Sequence, residues 1–301
     1  MATTLTTHAE VLQDEYAPMY TEAMFRNSSL VPLFGPPMMS PGGDSRKWLV
    51  HSGVNDSVKI FDEGDASSDP GNQAYVTASL SYLHLQGLTQ ITGHARAALR
   101  SGHFDSIDEE ATGCIADMVD LYNTSLMGST YGLLVAVDST TTFAGIARGA
   151  ASYFESKETA VSGILALSDL QDLEEALKDN DRGARLGSNG LILSAMNQRT
   201  RYYNVTGGPA TQMIGDRDKA PALSGQLEYA GMPFIGLPDF DDNTLLMLDM
   251  SENNWDNMIH EDFMVHDQGR SGDSDVFMFT FRGNLICKNP VTMGKLTSLT
   301  T

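Results

Sequence analysis

The chain has 301 residues, 41% hydrophobic and 19% charged, which is enough apolar material for a sizeable core and excludes wholesale disorder. Its formal net charge of −20 excludes broad, direct binding to a phosphate backbone, which needs clustered Lys and Arg. The longest uninterrupted apolar run, residues 133–137, is far short of the ~18–20 residues that span a bilayer. Residues 1–5 lack the basic and apolar regions of a secretory signal, and two cysteines, Cys114 and Cys287, suit a reducing compartment better than a disulfide framework.

From the N-terminus, residues 1–40 read as an arm. A short amphipathic stretch (Val11, Tyr16, Met19, Tyr20, Met24, Phe25) leads into a segment that Pro32, Pro36 and Pro37 keep from continuing as a helix. Residues 46–86 read as two strands around a long polar loop. In the second strand Ala74, Val76, Ala78, Leu80 and Tyr82 share one face. A loop of ~20 residues inside a compact domain is usually a projection or functional. A two-stranded ribbon is marginal alone and is expected to lie on another surface.

A long helix is predicted from Ser106 to about Met127. Ser106 and Glu109 fit a capping box, and Ile107, Ala111, Cys114, Ile115, Met118, Tyr122 and Ser125 recur at helical spacing. Residues 133–137 are a buried strand or helix, which periodicity leaves open, and residues 139–142 a polar turn. Ser168-Asp169 starts a helix with Leu170, Leu173 and Leu177 inward. Residues 191–193 read as a strand, 198–203 as a helix, 227–229 and 232–235 as strands around an Ala230-Gly231 turn, and 244–249 as another strand.

The end of the chain is a long strand from Asp275. Phe277, Phe279 and Phe281 fall on one face and Val276, Met278, Thr280 and Arg282 on the other. The Arg282-Gly283-Asn284 step reads as a break, with Gly283-Asn284 as a bulge that bends the strand. Helices and strands mix without a βαβ repeat, so the fold class is α+β.

Charge is unevenly spread. Residues 101–147 hold seven acids and no Lys or Arg, 239–275 hold eleven acids and one Arg, and 276–301 hold Arg282, Lys288 and Lys295 with no acid. Basic groups near the end of an acidic chain suit pairing with a neighbour's acids, or simple solvation.

Chemistry-bearing motifs are sparse. Asp239, Asp241 and Asn243 stand at the first positions of a calcium loop, but Thr244 replaces the required Gly and Met250 the bidentate Glu, so an Asp-rich turn is the plainer reading. His260, Glu261, Asp262 and His266 form the best metal-like cluster. On one straight strand His260 and His266 would lie ~20 Å apart at ~3.3 Å per residue, too far to share an ion. Residues 183–190 resemble a glycine-rich loop but follow a helix and lack the Gly-Lys-Ser/Thr step. No nucleophile elbow or redox cysteine pair is present. No metal, cofactor or catalytic residue is assigned, and enzyme function has no positive support beyond the reading of that His/Asp cluster as a metal-dependent site.

The order of elements, with "YAPMYTEAMFRNSSLVPLFG", "RKWLV", "QAYVTASLSYLHLQGLTQITGHA", "FDSIDEEATGCIADMVDLYNTSLMGS", "YAGMPFIGLPDF" and "DSDVFMFTFRGNLICKNP", resembles the major capsid proteins of tailed phages, with the Hong Kong 97 fold. The resemblance implies an N-terminal arm (1–40), an extended two-stranded loop (41–86), a peripheral domain whose first part (87–132) carries a spine helix, an axial domain (133–254) and a second peripheral part (255–301). It implies a virion shell protein, assembled in the host cytoplasm, that packs with itself in hexamers and pentamers and encloses double-stranded DNA without reading its sequence. Separate scaffold, portal and decoration proteins are its expected partners, and no membrane is. An encapsulin-type protein compartment shares the fold and is the alternative. Candidate subunit-interface residues are Lys59, Asp62, Glu63, Asp65, Arg282 and Lys288, with Arg282 expected to meet a neighbour's acid in the 62–65 loop. Some members of the family crosslink a loop Lys to a neighbour's Asn. Lys47 and Lys59 are the Lys candidates here, and Asn284 and Asn289 the Asn candidates.

Overall fold

The computed structural model describes residues 30–40, 42–60, 63, 69–92, 106–128, 132–149, 151–178, 189–206, 227–251 and 254–300, without the side chains of 106–109, 270 and 271. Its contacts divide the chain into two compact units. The first comprises the described parts of Met1–Asp44, Ser81–Tyr131 and Asp256–Ile286, and the second those of Ser45–Leu80, Gly132–Trp255 and Cys287–Thr301. The predicted arm residues 11–25, the capping pair Ser106/Glu109, Ile107 and residues 183–188 of the glycine-rich stretch lie outside the described residues or side chains.

The first unit is a four-stranded sheet with one long helix. Its strands are β1 (Met38–Met39), β4 (Leu83–Thr92), β10 (Trp255–Ser271) and β11 (Ser274–Cys287), in the order β1-β10-β11-β4. The helix, α1, is Ser106–Met127, the predicted span. Its buried side is Ala111, Ile115, Met118, Val119, Tyr122, Asn123, Leu126 and Met127. The predicted stripe gains Val119 and Leu126, while Cys114 and Ser125 sit at its margin.

β11 pairs antiparallel with β4 in unbroken register from Ser274↔Thr92 to Gly283↔Leu83. This puts Phe277, Phe279 and Phe281 opposite Thr89, Gly87 and Leu85 on one buried face. Phe281 meets Tyr122 of α1 edge-to-face with ring centroids 5.3 Å apart, and Phe279 stacks on Phe263 at 5.6 Å. The phenylalanine face therefore packs against the helix, as its alternation predicts.

The expected break at 282–284 is corrected: β11 runs through that step, and its ladder with β4 keeps register up to its last pair, Gly283↔Leu83. Gly283 serves packing: a Cβ there would sit 2.9 Å from Phe281 Cζ and 3.1 Å from the Met258 carbonyl oxygen. Asn284, 1% exposed, donates to the Ser81 carbonyl at 2.8 Å and accepts from the Leu285 N–H at 2.8 Å, so it seals the strand end.

Gly87 sets how closely α1 approaches the sheet. A Cβ at this position would collide with Cys114 Sγ and lie 3.0 Å from Met118 Sδ. Gly87→Val is expected to push the helix off the sheet and lower stability by about 1–3 kcal/mol, read as a fall in the urea midpoint.

The second unit is a six-stranded mixed sheet. Its strands are β5 (Lys157–Gly163), β6 (Gly190–Ala195), β7 (Leu227–Tyr229), β8 (Met232–Leu237), β9 (Leu245–Asp249) and β12 (Gly294–Leu299), ordered β5-β12-β9-β6-β8-β7. Residues 294–299, expected in the last segment of the peripheral domain, thus pair between β5 and β9. Residues 133–136 form a short helix, α2 (Leu133–Ala136), which settles the choice between strand and helix.

Two further helices, α3 (Leu167–Lys178) and α4 (Met196–Val205), cover one sheet face. Leu170, Leu173 and Leu177 are fully buried there, in one cluster with Tyr202, Ile192, Phe234, Met247 and Leu296. The alternate residues Leu191, Leu193, Leu246 and Leu248 are buried as well. β6 and β9 are therefore covered on both faces, which is why they read as continuous apolar runs rather than alternating ones. Pairing of β8 with β6 starts at Phe234, so the missing N–H of Pro233 falls outside that ladder.

The β7–β8 turn places Ala230 at φ 50° and Gly231 at φ 83°, the two left-handed residues of a tight hairpin. Alanine is strained there and glycine is not. Ala230→Gly or Ala230→Asn is expected to stabilise by about 0.5–1 kcal/mol and Ala230→Val to destabilise, measured by thermal melting.

The two-stranded sheet of the second unit is β2 (Ser45–Gly53) with β3 (Ala74–Ser81). It is anchored where it was expected to lie down. Val50 and Ala78 are buried, the Ser79 N–H donates to the Ala144 carbonyl at 2.9 Å, and Trp48 Nε1 donates to the Lys288 carbonyl at 3.3 Å.

Candidate assembly surfaces

The β2–β3 ribbon and the start of its connecting loop carry exposed large apolar groups. Leu49, Val54, Val58, Ile60 and Tyr75 are 58–90% exposed. Scattered apolar residues are ordinary on a surface, but five within a ribbon and the start of its loop are the kind of concentration that marks an interaction site.

The described part of the loop at its end is built. Asn55 Nδ2 donates to the Gly71 carbonyl at 2.9 Å across the loop, while its Oδ1 accepts from Ser57 N–H at 2.9 Å and Ser57 Oγ at 2.7 Å. A Cβ at Gly71 would collide with that Asn55 side chain. The polar stretch between the strands is therefore closed at its base by one asparagine.

The predicted interface residues fall as follows. Lys59 and Glu63 are exposed, and Lys288 is half-buried with its backbone carbonyl taken by Trp48. Asp62 and Asp65 lie outside the described residues. Arg282 Nε is 2.9 Å from Glu261 Oε2 in the same chain, with both side chains part-exposed. The expected partner of Arg282 was a neighbour's acid, and the partner in the single chain is Glu261. Of the two crosslinking asparagines, Asn284 is sequestered by its own hydrogen bonds, whereas Asn289 is only half-buried.

The His/Asp cluster is dispersed along β10. His260 stacks on Tyr82 at 5.0 Å, Glu261 faces Arg282, Asp262 accepts from the Phe263 N–H at 2.8 Å, and His266 Nε2 is 3.2 Å from Thr280 Oγ1. Each group has a separate partner, and they do not converge on one point. Asp241 closes a polar turn by accepting from the Asn243 N–H and the Thr244 hydroxyl. Among the described residues no group of three or more His, Cys, Asp or Glu is arranged to hold a metal ion, and no helix is long and apolar enough to cross a membrane.

Two buried polar clusters in the second unit were missed in the sequence. Arg148, 5% exposed, donates from Nη1 to the Val135 and Asp138 carbonyls and from Nη2 to the Ala136 carbonyl, each at 2.8 Å. Its guanidinium lies 4.9 Å from the Phe143 ring centre and 5.5 Å from that of Phe154. Burial pushes its pKa down to about 10, so it remains charged at neutral pH.

Lys295 was read as one of the basic groups available to a neighbour's acids or to water. It is instead buried, with Nζ 2.6 Å from Asp138 Oδ2 and 3.6 Å from Glu158 Oε2. Burial raises the Asp138 carboxyl. The Lys295 ammonium and the Thr140 and Thr141 amides outweigh it and hold the group well below the usual carboxylate range.

No family model matches the chain, and no curated protein matches it by sequence. Solved structures do. The chain is similar to the capsid of cyanophage A-1(L), with TM-score 0.72 and 13% identity over 91% of this chain and 93% of that one. It is similar to the capsid of a native GTA particle, with TM-score 0.64 and 14% identity over 92% and 90%. It is also similar to the SrpI encapsulin of Synechococcus elongatus, with TM-score 0.58 and 12% identity over 90% and 89%. These likenesses establish the fold: this is an α+β chain with the Hong Kong 97-type architecture of tailed-phage and phage-like capsids, as the order of its elements implied.

Proposed function

We propose that the chain is a structural, non-enzymatic major capsid protein. In this reading it assembles with itself into hexamers and pentamers and so builds an icosahedral head shell around double-stranded DNA. The observation that carries the reading is a capsid fold matched over nine-tenths of both chains, on a molecule whose β2–β3 ribbon and loop expose five large apolar side chains. Quasi-equivalent shells need such projecting segments, which adapt to neighbours at different angles. The net charge of −20 fits a container wall that does not hold its DNA tightly.

In this reading the sheet-and-spine-helix unit is the peripheral domain, and the six-stranded unit is the axial domain with the extended loop. Lys59, Asp62, Glu63, Asp65, Arg282 and Lys288 belong to subunit contacts, with Arg282 exchanging Glu261 for an acid of a neighbour on assembly. Scaffold, portal and decoration proteins are the further partners. The shell forms in the host cytoplasm and resides in the virion.

The similarity to an encapsulin supports a second reading, a protein compartment with enzyme cargo. Electron microscopy of particles purified from the native source, with assays of their nucleic acid and protein content, tests both. Shells filled with DNA support the capsid, and shells with a protein cargo and no DNA support the compartment. A chain that forms no particles in any partner's presence removes both.

A further inference from the structure

Outside the ribbon, the exposed large apolar side chains of the second unit fall, among the described residues, on two stretches: Ile164 and Leu167 before and at the start of α3, and Met196 and Val205 at the two ends of α4. Ile164 and Val205 line one open groove of about 520 Å³ with Asn197, Thr200, Arg201 and Asn204. Positions 197, 200, 201 and 204 share one face of α4, so the floor is a single helix face. Arg199 and Arg201 stand on this helix, and among the described residues neither has an ion-pair partner.

We propose that this groove is a subunit contact that seats an acidic segment of a second copy of this chain. The proposal rests on the capsid reading and names one of its contacts. Charge complementarity selects the occupant. The groove is apolar at Ile164 and Val205 and cationic at Arg201, on a chain of net charge −20. Exposed acids on the same unit of a second copy, such as Asp172 and Glu175 on α3 or Asp239 and Asp242 in the β8–β9 turn, supply the matching sign. A closed ring needs two different patches on each subunit, and a cationic groove with an acidic counterpart elsewhere meets that requirement. One lining arginine in so acidic a body makes a poor track for a phosphate backbone, which needs many clustered cations.

The test uses the full chain expressed under conditions in which the wild type assembles. Ile164→Asp, Arg201→Glu and Val205→Asp change surface groups, so each is expected to melt like wild type by circular dichroism yet lose particle yield by about tenfold or more, measured by sedimentation and electron microscopy. Arg201→Lys is expected to retain most of the yield. Hydroxyl-radical footprinting of wild type needs no variant to fold, and it is expected to show Ile164 and Val205 reactive before assembly and protected after it.

Folded variants with wild-type yields overturn the proposal. So does equal protection before and after assembly, which means the groove is covered within one copy or never covered. Particles of normal yield that lose only nucleic acid in Arg201→Glu place the groove against the genome and overturn it too. If the wild type forms no particles under any condition, the capsid reading itself falls, and that result is distinct from all of these.

Discussion

Replacing Arg148 with alanine is expected to be the most damaging single change in the second unit, at about 3–5 kcal/mol, against a total stability of about 5–15 kcal/mol for a typical protein. Arg148 ties together the stretch from α2 to the turn that follows it. Its two terminal nitrogens hold the carbonyls of Val135, Ala136 and Asp138. α2 is only four residues long, and a helix that short does not stand on its own hydrogen bonds.

Without the guanidinium, three carbonyls lose a charged donor in a place where water enters poorly, and a gap opens beside the stacked Phe143 and Phe154 rings. Lysine is not a substitute, because one ammonium cannot reproduce a planar fork that serves three acceptors and lies beside two rings. Arg148→Lys is expected to recover less than half of the loss and Arg148→Met to behave much like alanine. Urea denaturation of each soluble variant measures this. A midpoint for Arg148→Ala within error of wild type would show that the clamp is dispensable.

The parts of the fold legible in the sequence are those in which pattern and burial coincide locally. The span of α1 followed from a capping signal and one apolar stripe. The three phenylalanines of β11 were placed by alternation alone, because one face of their sheet is covered by α1 and the other faces outward. The order of elements then carried the architecture, although no single motif was specific.

What stayed hidden is what depends on distant partners. Gly283 was read only as a point where the strand bends, whereas its lack of a side chain also leaves room for the Phe281 ring and the Met258 carbonyl, and nothing near it in sequence says so. Residues 294–299 were grouped with the 255–301 segment and not read as a strand, whereas they pair with β5 and β9. Lys295 and Asp138, separated by 157 residues, could not be paired from composition. Their only signal was a lysine inside an otherwise apolar strand end. Arg282 was expected to meet a neighbour's acid, and in the single chain β10 supplies one twenty-one residues away, Glu261.

Lys295→Met is the second large expectation, at about 2–4 kcal/mol of destabilisation. The lysine lies on β12, between β5 and β9, and its ammonium joins that strand to Asp138 and to Glu158 of β5. Its removal leaves two carboxylates side by side with no cation between them. Asp138 keeps its two backbone donors at Thr140 and Thr141, so the loss stays below that of a fully buried charge.

The double variant Lys295→Met/Asp138→Asn is expected to be more stable than Lys295→Met alone, because the stranded charge goes with its partner. The pH dependence has a definite sign. The Asp138 carboxyl is held below its ordinary value in the folded state. Its stabilisation is therefore complete above the unfolded carboxyl value of about 3.9 and is lost as pH falls towards the lower folded value. The gap in stability between wild type and Asp138→Asn is expected to be flat from neutral pH to about pH 5 and to shrink below about pH 4. A gap that widens on acidification would mean that the carboxylate is not held by Lys295 and the two amides. β12 lies between β5 and β9 in the six-stranded sheet, so weakening its anchor should loosen that strand before the sheet melts, and limited proteolysis of Lys295→Met should cut at 294–299 first.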